Sequence, residues 1–232
     1  MLVARRSDRL KALSDKLRAA HGTKVEVVEA DLTKDADVTR VEKVLKANPA
    51  ITLLVNNAGN ARLAPVAKTS EEDAAAMIAL NVTALTRLTH AILPAFLARN
   101  EGAIINVASV LSFHALPISA IYSGTKGYVM NFSRGLQQEL AGTNVRLQLV
   151  MPASTATELW DLAGVPLTSL NQTAVMMSEN LVDAALAGFD KGEDITLPSV
   201  ADTTFWDKFD GARSQLFAAA QTGEPAPRYR SA

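Results

Sequence analysis

The chain has 232 residues, 48% hydrophobic and 20% charged, with a formal net charge of −1. That length suffices for one well-buried domain, and the interspersed charge gives no footprint for nucleic acid or an anionic membrane. Cysteine is absent, which excludes disulfides, thiolate metal sites and cysteine nucleophiles and fits a reducing, cytoplasmic setting.

Short runs rich in Val and Ile alternate with amphipathic stretches of helical length. In chain order, the pattern predicts a strand at Leu2–Ala4, a helix at Ser7–Ala20, a strand at Lys24–Glu29 and a helix at Asp35–Ala47. A strand at Ile51–Val55 and a long helix at Ser70–Arg99 follow, then a strand at Ala103–Ala108 and a helix at Ala120–Ala141. The remaining elements are a strand at Val145–Val150, a helix at Ala174–Phe189, a strand at Ile195–Leu197 and a helix at Thr203–Ala219. Apolar strands that do not alternate suit a sheet covered on both faces, and strand–helix alternation implies parallel crossovers. The expectation is an α/β fold with a doubly wound parallel sheet, one domain over 1–222 and an irregular tail over 223–232. Ser7 reads as the cap before the Leu10, Leu13 and Leu17 stripe. Thr69 to Asp73 places caps and carboxylates at a helix start. Residues 153–171 read as a long mobile loop. No uninterrupted apolar stretch reaches the ~18–20 residues of a membrane span, and Arg5 and Arg6 come too early for a signal peptide. His21, His90 and His114 lack ligand spacing, so no metal is expected.

The chemistry concentrates in Tyr122-Ser123-Gly124-Thr125-Lys126, with Ser109 upstream. If Tyr122 opens a helix, Lys126 lies one turn on, on the same face. A phenol with pKa ~10 transfers protons poorly at neutral pH, and a neighbouring ammonium would lower that pKa by favouring the phenolate. A Ser109 hydroxyl at a strand end can hydrogen-bond the same substrate oxygen. Alone, the Tyr–Lys pair is a weak signal that reads more readily as an exposed helical pair.

Further motifs separate these readings. Asp31-Leu32 follows one strand, Asn56-Asn57-Ala58-Gly59 follows another, Asn81 lies within the long helix, and Pro152-Ala153-Ser154-Thr155-Ala156-Thr157 closes a third strand. In this order and spacing they resemble the short-chain dehydrogenase/reductase family over nearly the whole chain, with its Rossmann-like fold. The resemblance implies that Asn81, Ser109, Tyr122 and Lys126 are catalytic, with Asn81 anchoring a proton-relay water. It implies that Asp31 and Leu32 meet the adenine, and that Asn57, Ala58 and Gly59 lie beside the adenosine. Tyr122 and Lys126 would meet the nicotinamide ribose, and Pro152 and Thr157 the carboxamide region. Ala153 stands where glycine is usual, a costly change only if that position needs positive φ.

In such folds an acidic residue at the end of the second strand selects NAD. Here Arg5 and Arg6 precede a helix, where cations are mildly unfavourable unless a phosphate reverses the sign. NADP(H) is therefore the expected cofactor, with a solvated basic pair as the plain alternative. The implied reaction interconverts a carbonyl and an alcohol on a small apolar substrate. Leu111, Phe113, His114, Leu116 and Trp160 are candidate pocket walls, and Trp206 and Phe209 candidates to cover its mouth or meet another subunit. A homodimer or homotetramer through the long helices is expected, as is a cytoplasmic location.

The resemblance begins late. None of the 12 glycines forms the family's glycine-rich pyrophosphate turn, and the first strand–helix unit of ~30 residues is missing. Its strand would lie mid-sheet, so two sheet fragments with free edges are expected. A coding sequence that begins further upstream is the favoured explanation. The alternative is a truncated, non-catalytic relative acting as a dimerisation or regulatory subunit. An epimerase-type relative fits less well, since no large substrate region is present.

Overall fold

Parallel crossovers organise the computed structural model, which describes residues 1–230. The chain divides into two units, Met1–Pro198 and Ser199–Ala232. In the first, β1 (Leu2–Ala4), α1 (Ser7–His21), β2 (Val27–Glu29) and α2 (Asp35–Ala47) precede β3 (Leu53–Asn56). A continuous helical run then comprises α3 (Glu71–Ile78), a π-helical stretch (Ala79–Ala84) and α4 (Leu85–Arg99). β4 (Gly102–Val107), α5 (Ala120–Glu139) and β5 (Val145–Val150) follow. Next come β6 (Thr155–Ala156), α6 (Leu159–Ala163), β7 (Met176–Met177), α7 (Ser178–Asp190) and β8 (Ile195–Thr196). The second unit holds α8 (Thr204–Ala219), on which the Trp206 and Phe209 rings lie 5.4 Å apart.

All strand pairs are parallel. β3, β4, β5 and β8 form a four-stranded sheet in that order, whereas β1 pairs with β2 in a separate two-stranded ribbon. The interruption expected from the sequence is thus present: among the described residues β1 pairs only with β2, and β3 only with β4. The free edges line a cavity of about 1030 Å³ that includes Val3, Ala4, Leu53, Leu54 and Val55. Leu53 and Val55 are 43% and 49% exposed, unusual for a parallel strand, whose faces are normally both covered.

One core nevertheless joins the two sheets. Val3 and Val28 of the ribbon pack with Leu54 and Ile104 of the large sheet and with Val38, Val41, Leu45, Leu88, Ile92 and Phe96 from α2 and α4. Arg87 of α4 reinforces this union. Its Nε and one Nη donate to the two Glu42 carboxylate oxygens, each at 2.8 Å, and it also bonds Thr39 at 2.9 Å and the Asp35 carboxylate. By length and composition alone, Glu71–Arg99, 29 residues of mean hydropathy 1.3, is apolar enough to cross a membrane. Here its Met77, Leu88, Ile92 and Phe96 are interior side chains of a globular unit.

Local signals differ from the sequence reading at three places. Ser7 is the first helical residue rather than the cap; Arg6 takes the cap position without a side-chain hydrogen bond. Ser70 does cap, its hydroxyl accepting from Asp73 N at 3.0 Å. The expected loop over 153–171 is instead built into elements. β6 pairs with β7 through Thr155 and Met176, α6 intervenes, and Ser178 Oγ donates to Ala156 O at 2.8 Å. Because Met176–Met177 is drawn into that ribbon, α7 starts at Ser178 rather than Ala174.

The union of the sheets through α2 and α4 is testable. Arg87→Ala leaves Glu42, a mostly buried carboxylate, without its two guanidinium donors. Unfolding stability is expected to fall by ~1–3 kcal/mol, with the urea midpoint lowered and the slope unchanged. An unshifted midpoint would remove Arg87 from this role.

Candidate active site

Three strand ends and one helix start meet at the C-terminal end of the large sheet. Ser109 follows β4 in extended conformation, is buried, and its Oγ accepts from Leu111 N at 3.1 Å. β4 and β5 carry this corner together, since Val110 N donates to Pro152 O at 3.0 Å. Tyr122 and Lys126 lie one turn apart on α5, and both are buried. The Ser109 hydroxyl lies near enough to the Tyr122 phenol to lower its pKa. Lys126 Nζ donates to Val107 O at 2.9 Å and lies 5.9 Å from the Tyr122 ring centre.

Asn81 occupies the π-helical stretch, a widening often found at functional sites. Its Oδ1 accepts from Asn60 N at 3.0 Å, and its Nδ2 donates to Asn60 O at 2.9 Å and Thr125 Oγ1 at 3.0 Å. The helix residue thereby holds the Asn57-Ala58-Gly59 turn against α5. Gly59 lies close against this clamp: a Cβ there would lie 3.3 Å from Asn81 Oδ1, a tight contact, and 3.6 Å from Lys126 Nζ, an ordinary one. Thr125 and Asn60 are contributors that the motif reading missed. Only the position of Thr125 inside the Tyr–Lys spacing hinted at its part.

Burial sets the electrostatics. It pushes the Tyr122 phenol up to about 12, opposed by the nearby Ser109 hydroxyl. It pulls Lys126 down to about 8. The expected lowering of Tyr122 by Lys126 is therefore reversed in the protein alone: desolvation dominates, and the ammonium is spent on the Val107 carbonyl.

Arg5, Arg6, Asp31, Leu32, Asn57, Ala58 and Gly59 all line the cavity between β1 and β3. Burial disfavours ionised Asp31, but hydrogen bonds from the Thr33 side chain and N–H, with the charge of Arg5, leave its pKa lowered. Pro152 and Thr157 stand apart from that lining. Thr157 is exposed, and its Oγ1 accepts from Leu159 N at 3.3 Å. Ala153 adopts no strained conformation: among the described residues Asn100 is the only non-glycine with positive φ. Around Tyr122, Ala61, Met77 and Ala163 are buried, with Leu63, Leu111, Ile121 and Leu159 packed against them. Of the candidate walls, Leu111 joins this cluster. Phe113, His114 and Leu116 are exposed, and Trp160 Nε1 donates to Thr155 O at 2.8 Å.

Comparison with known proteins accounts for this arrangement. A family model described as short chain dehydrogenase matches residues 1–164. A serine 3-dehydrogenase from Agrobacterium fabrum is 33% identical over 208 residues, spanning 87% of this chain and 74% of that protein. A short-chain dehydrogenase from Sphingobium yanoikuyae, solved in complex with NADPH, is 41% identical with a TM-score of 0.95, covering 99% of this chain and 89% of that one. The bulky-bulky ketone specific alcohol dehydrogenase from Comamonas testosteroni is 33% identical with a TM-score of 0.90, covering 99% and 87%. The chain belongs to the short-chain dehydrogenase family of oxidoreductases.

Proposed function

We propose that this protein is an NADP(H)-dependent oxidoreductase interconverting a carbonyl and an alcohol on a small apolar substrate. The observation that carries the reading is the buried hydroxyl–phenol pair of Ser109 and Tyr122 with Lys126 one turn away.

The residues present fit the two ends of the cofactor, its adenosine 2′-phosphate and its nicotinamide, but include no glycine-rich turn for the pyrophosphate. Arg5 and Arg6 open α1 beside the cavity, where a 2′-phosphate would meet forked donors and the helix N-terminus. Asp31 and Leu32 would flank the adenine, Asn57, Ala58 and Gly59 the adenosine, Tyr122 and Lys126 the nicotinamide ribose, and Pro152 and Thr157 the carboxamide. The solved relative from Sphingobium yanoikuyae carries NADPH, which supports this choice. NADP(H), when bound, supplies or accepts the hydride.

The chain's own groups handle the oxygen and its proton. Ser109 Oγ hydrogen-bonds and polarises the substrate carbonyl. Tyr122, kept protonated by burial, donates the proton to the oxygen as it gains charge. Lys126 stabilises the phenolate left behind, and Asn81 holds the turn and α5 in register around it and anchors the proton relay. Alcohol oxidation uses the same groups in reverse. The Leu63, Leu111, Ile121 and Leu159 side chains beside Tyr122 favour an apolar ketone or aldehyde over a charged substrate. A homodimer or homotetramer in the cytoplasm, without nucleic acid or membrane partner, completes the reading.

A second reading, a non-catalytic dimerisation or regulatory relative, is favoured by one observation: the cavity bounded by the free edges of β1 and β3 has no glycine-rich phosphate turn among the described residues. NADPH binding measured by calorimetry separates the two, since this second reading requires none.

Tyr122→Phe is expected to lower kcat for ketone reduction by ~10²–10⁴-fold at saturating NADPH; full turnover would refute the assignment. The reaction should also be pH-dependent through Lys126. Its charge is lost as pH rises through about 8, so kcat/KM for reduction falls above that value. Lys126→Arg keeps the charge and should shift the falling limb to higher pH; a limb that stays in place would assign the ionisation elsewhere.

A further inference from the structure

Glu158 joins two parts of the site that are remote in sequence. Its Oε2 accepts from Arg6 Nη1 at 2.9 Å and its Oε1 from Arg9 Nη1 at 2.7 Å. Arg6 caps α1 and Arg9 lies in its first turn. Together with Arg5 they place three cations where the helix dipole is positive, a charge arrangement that an anion relieves. The only carboxylate ion-paired to them among the described residues is Glu158.

The position of Glu158 in the chain matters as much as its charge. It immediately precedes α6, whose Leu159 and Ala163 pack against Tyr122, and Ala163 O accepts from Leu63 N at 3.0 Å. The same carboxylate thus fastens the segment that covers the catalytic phenol to Arg6, which lines the cavity, and to Arg9 in the first turn of α1. The two ion pairs are weak fasteners. All three side chains are more than half exposed, and such pairs contribute ~0–1 kcal/mol each. A phosphate dianion offers the guanidiniums more charge and more acceptor atoms than a carboxylate.

We propose that Glu158 is an internal competitor for the 2′-phosphate: it holds Arg6 and Arg9 in the free protein, and the phosphate displaces it, releasing α6 from over Tyr122. Binding of the phosphorylated cofactor and opening of the substrate side are thereby coupled. NAD(H), lacking the 2′-phosphate, leaves the latch closed, so Glu158 adds to cofactor discrimination at the level of the covering segment. The inference rests on the NADP(H) reading above.

The test uses adenosine 2′,5′-bisphosphate and 5′-AMP as probes, with affinity measured by calorimetry on the wild type and on Glu158→Gln. The variant keeps the shape of the side chain and removes its charge. Its affinity for the bisphosphate is expected to rise by about 3- to 10-fold, with that for 5′-AMP unchanged. No gain, or an equal gain for both probes, overturns the latch. A wild type that binds the two probes equally would sink the NADP(H) reading together with the latch, a failure visible before any variant is made.

Movement of α6 is read separately. The chain has 2 tryptophans, so Trp206→Phe isolates Trp160, the second residue of α6. Adding bisphosphate to this protein should bring its emission to that of the Glu158→Gln, Trp206→Phe protein without ligand. An emission that the bisphosphate leaves unchanged would overturn the coupling to α6.

Discussion

The side-chain amide of Asn81 accepts from the Asn60 N–H and donates to the Asn60 carbonyl and Thr125 Oγ1. One buried helix residue therefore fixes the spacing between the turn after β3 and the helix that carries Tyr122 and Lys126. A regular α-helix through residues 79–84 would present that amide differently; the π-helical widening is the local cost of aiming it at the turn. Gly59 packs closely here, since a Cβ at that position would press on Asn81 Oδ1. The placement of Tyr122 and Lys126 against the turn follows from this clamp more than from any property of the Tyr–Lys spacing.

Once the two α5 residues are buried by that packing, their ionisations move in opposite directions. Desolvation opposes the phenolate and the ammonium alike, so Tyr122 holds its proton more firmly and Lys126 less. At neutral pH the result is a neutral acid beside a charged base whose proton is only loosely held. That resting state keeps the phenol protonated but makes it a weaker proton donor than a free tyrosine. A ligand that brings positive charge toward the phenol would lower its pKa again, so chemistry and binding are linked through the same burial.

The strands and long helices were legible because their apolar patterning is local: Val145–Val150 and Ala120–Glu139 lie close to where the periodicity placed them. Ser109, Tyr122 and Lys126 were legible for a different reason, a residue-type pattern that chemistry restricts. Residues 153–177 were not, because nothing in their own composition marks a helix or ribbon. Leu159 and Ala163 become helical by packing on Tyr122, a contact made across the fold. The hold of Asn81 on Asn60 was equally hidden, since Asn in a helix is usually a solvated side chain and its partners here are backbone atoms 21 residues away. The sign of the Tyr122 shift was misjudged on the same ground: a charge one turn away is visible in sequence, whereas depth of burial is not.

The interruption of the sheet shows what the remaining contacts must carry. Without hydrogen bonds from β1 to β3, the ribbon is held to the large sheet by side chains, among them the apolar contacts of Val3 and Val28, those of α2 with α4, and the fork of Arg87 on Glu42. Backbone groups on the two free edges then depend on the cavity being wet or filled, because unpaired and dry they would each carry a desolvation penalty. The same cavity wall presents Arg5, Arg6, Asn57 and Gly59. Under the proposed function, cofactor recognition and the integrity of the sheet share one surface. Any occupant that satisfies the β1 and β3 edges also shapes the approach to the arginines, and with it the contest between phosphate and Glu158.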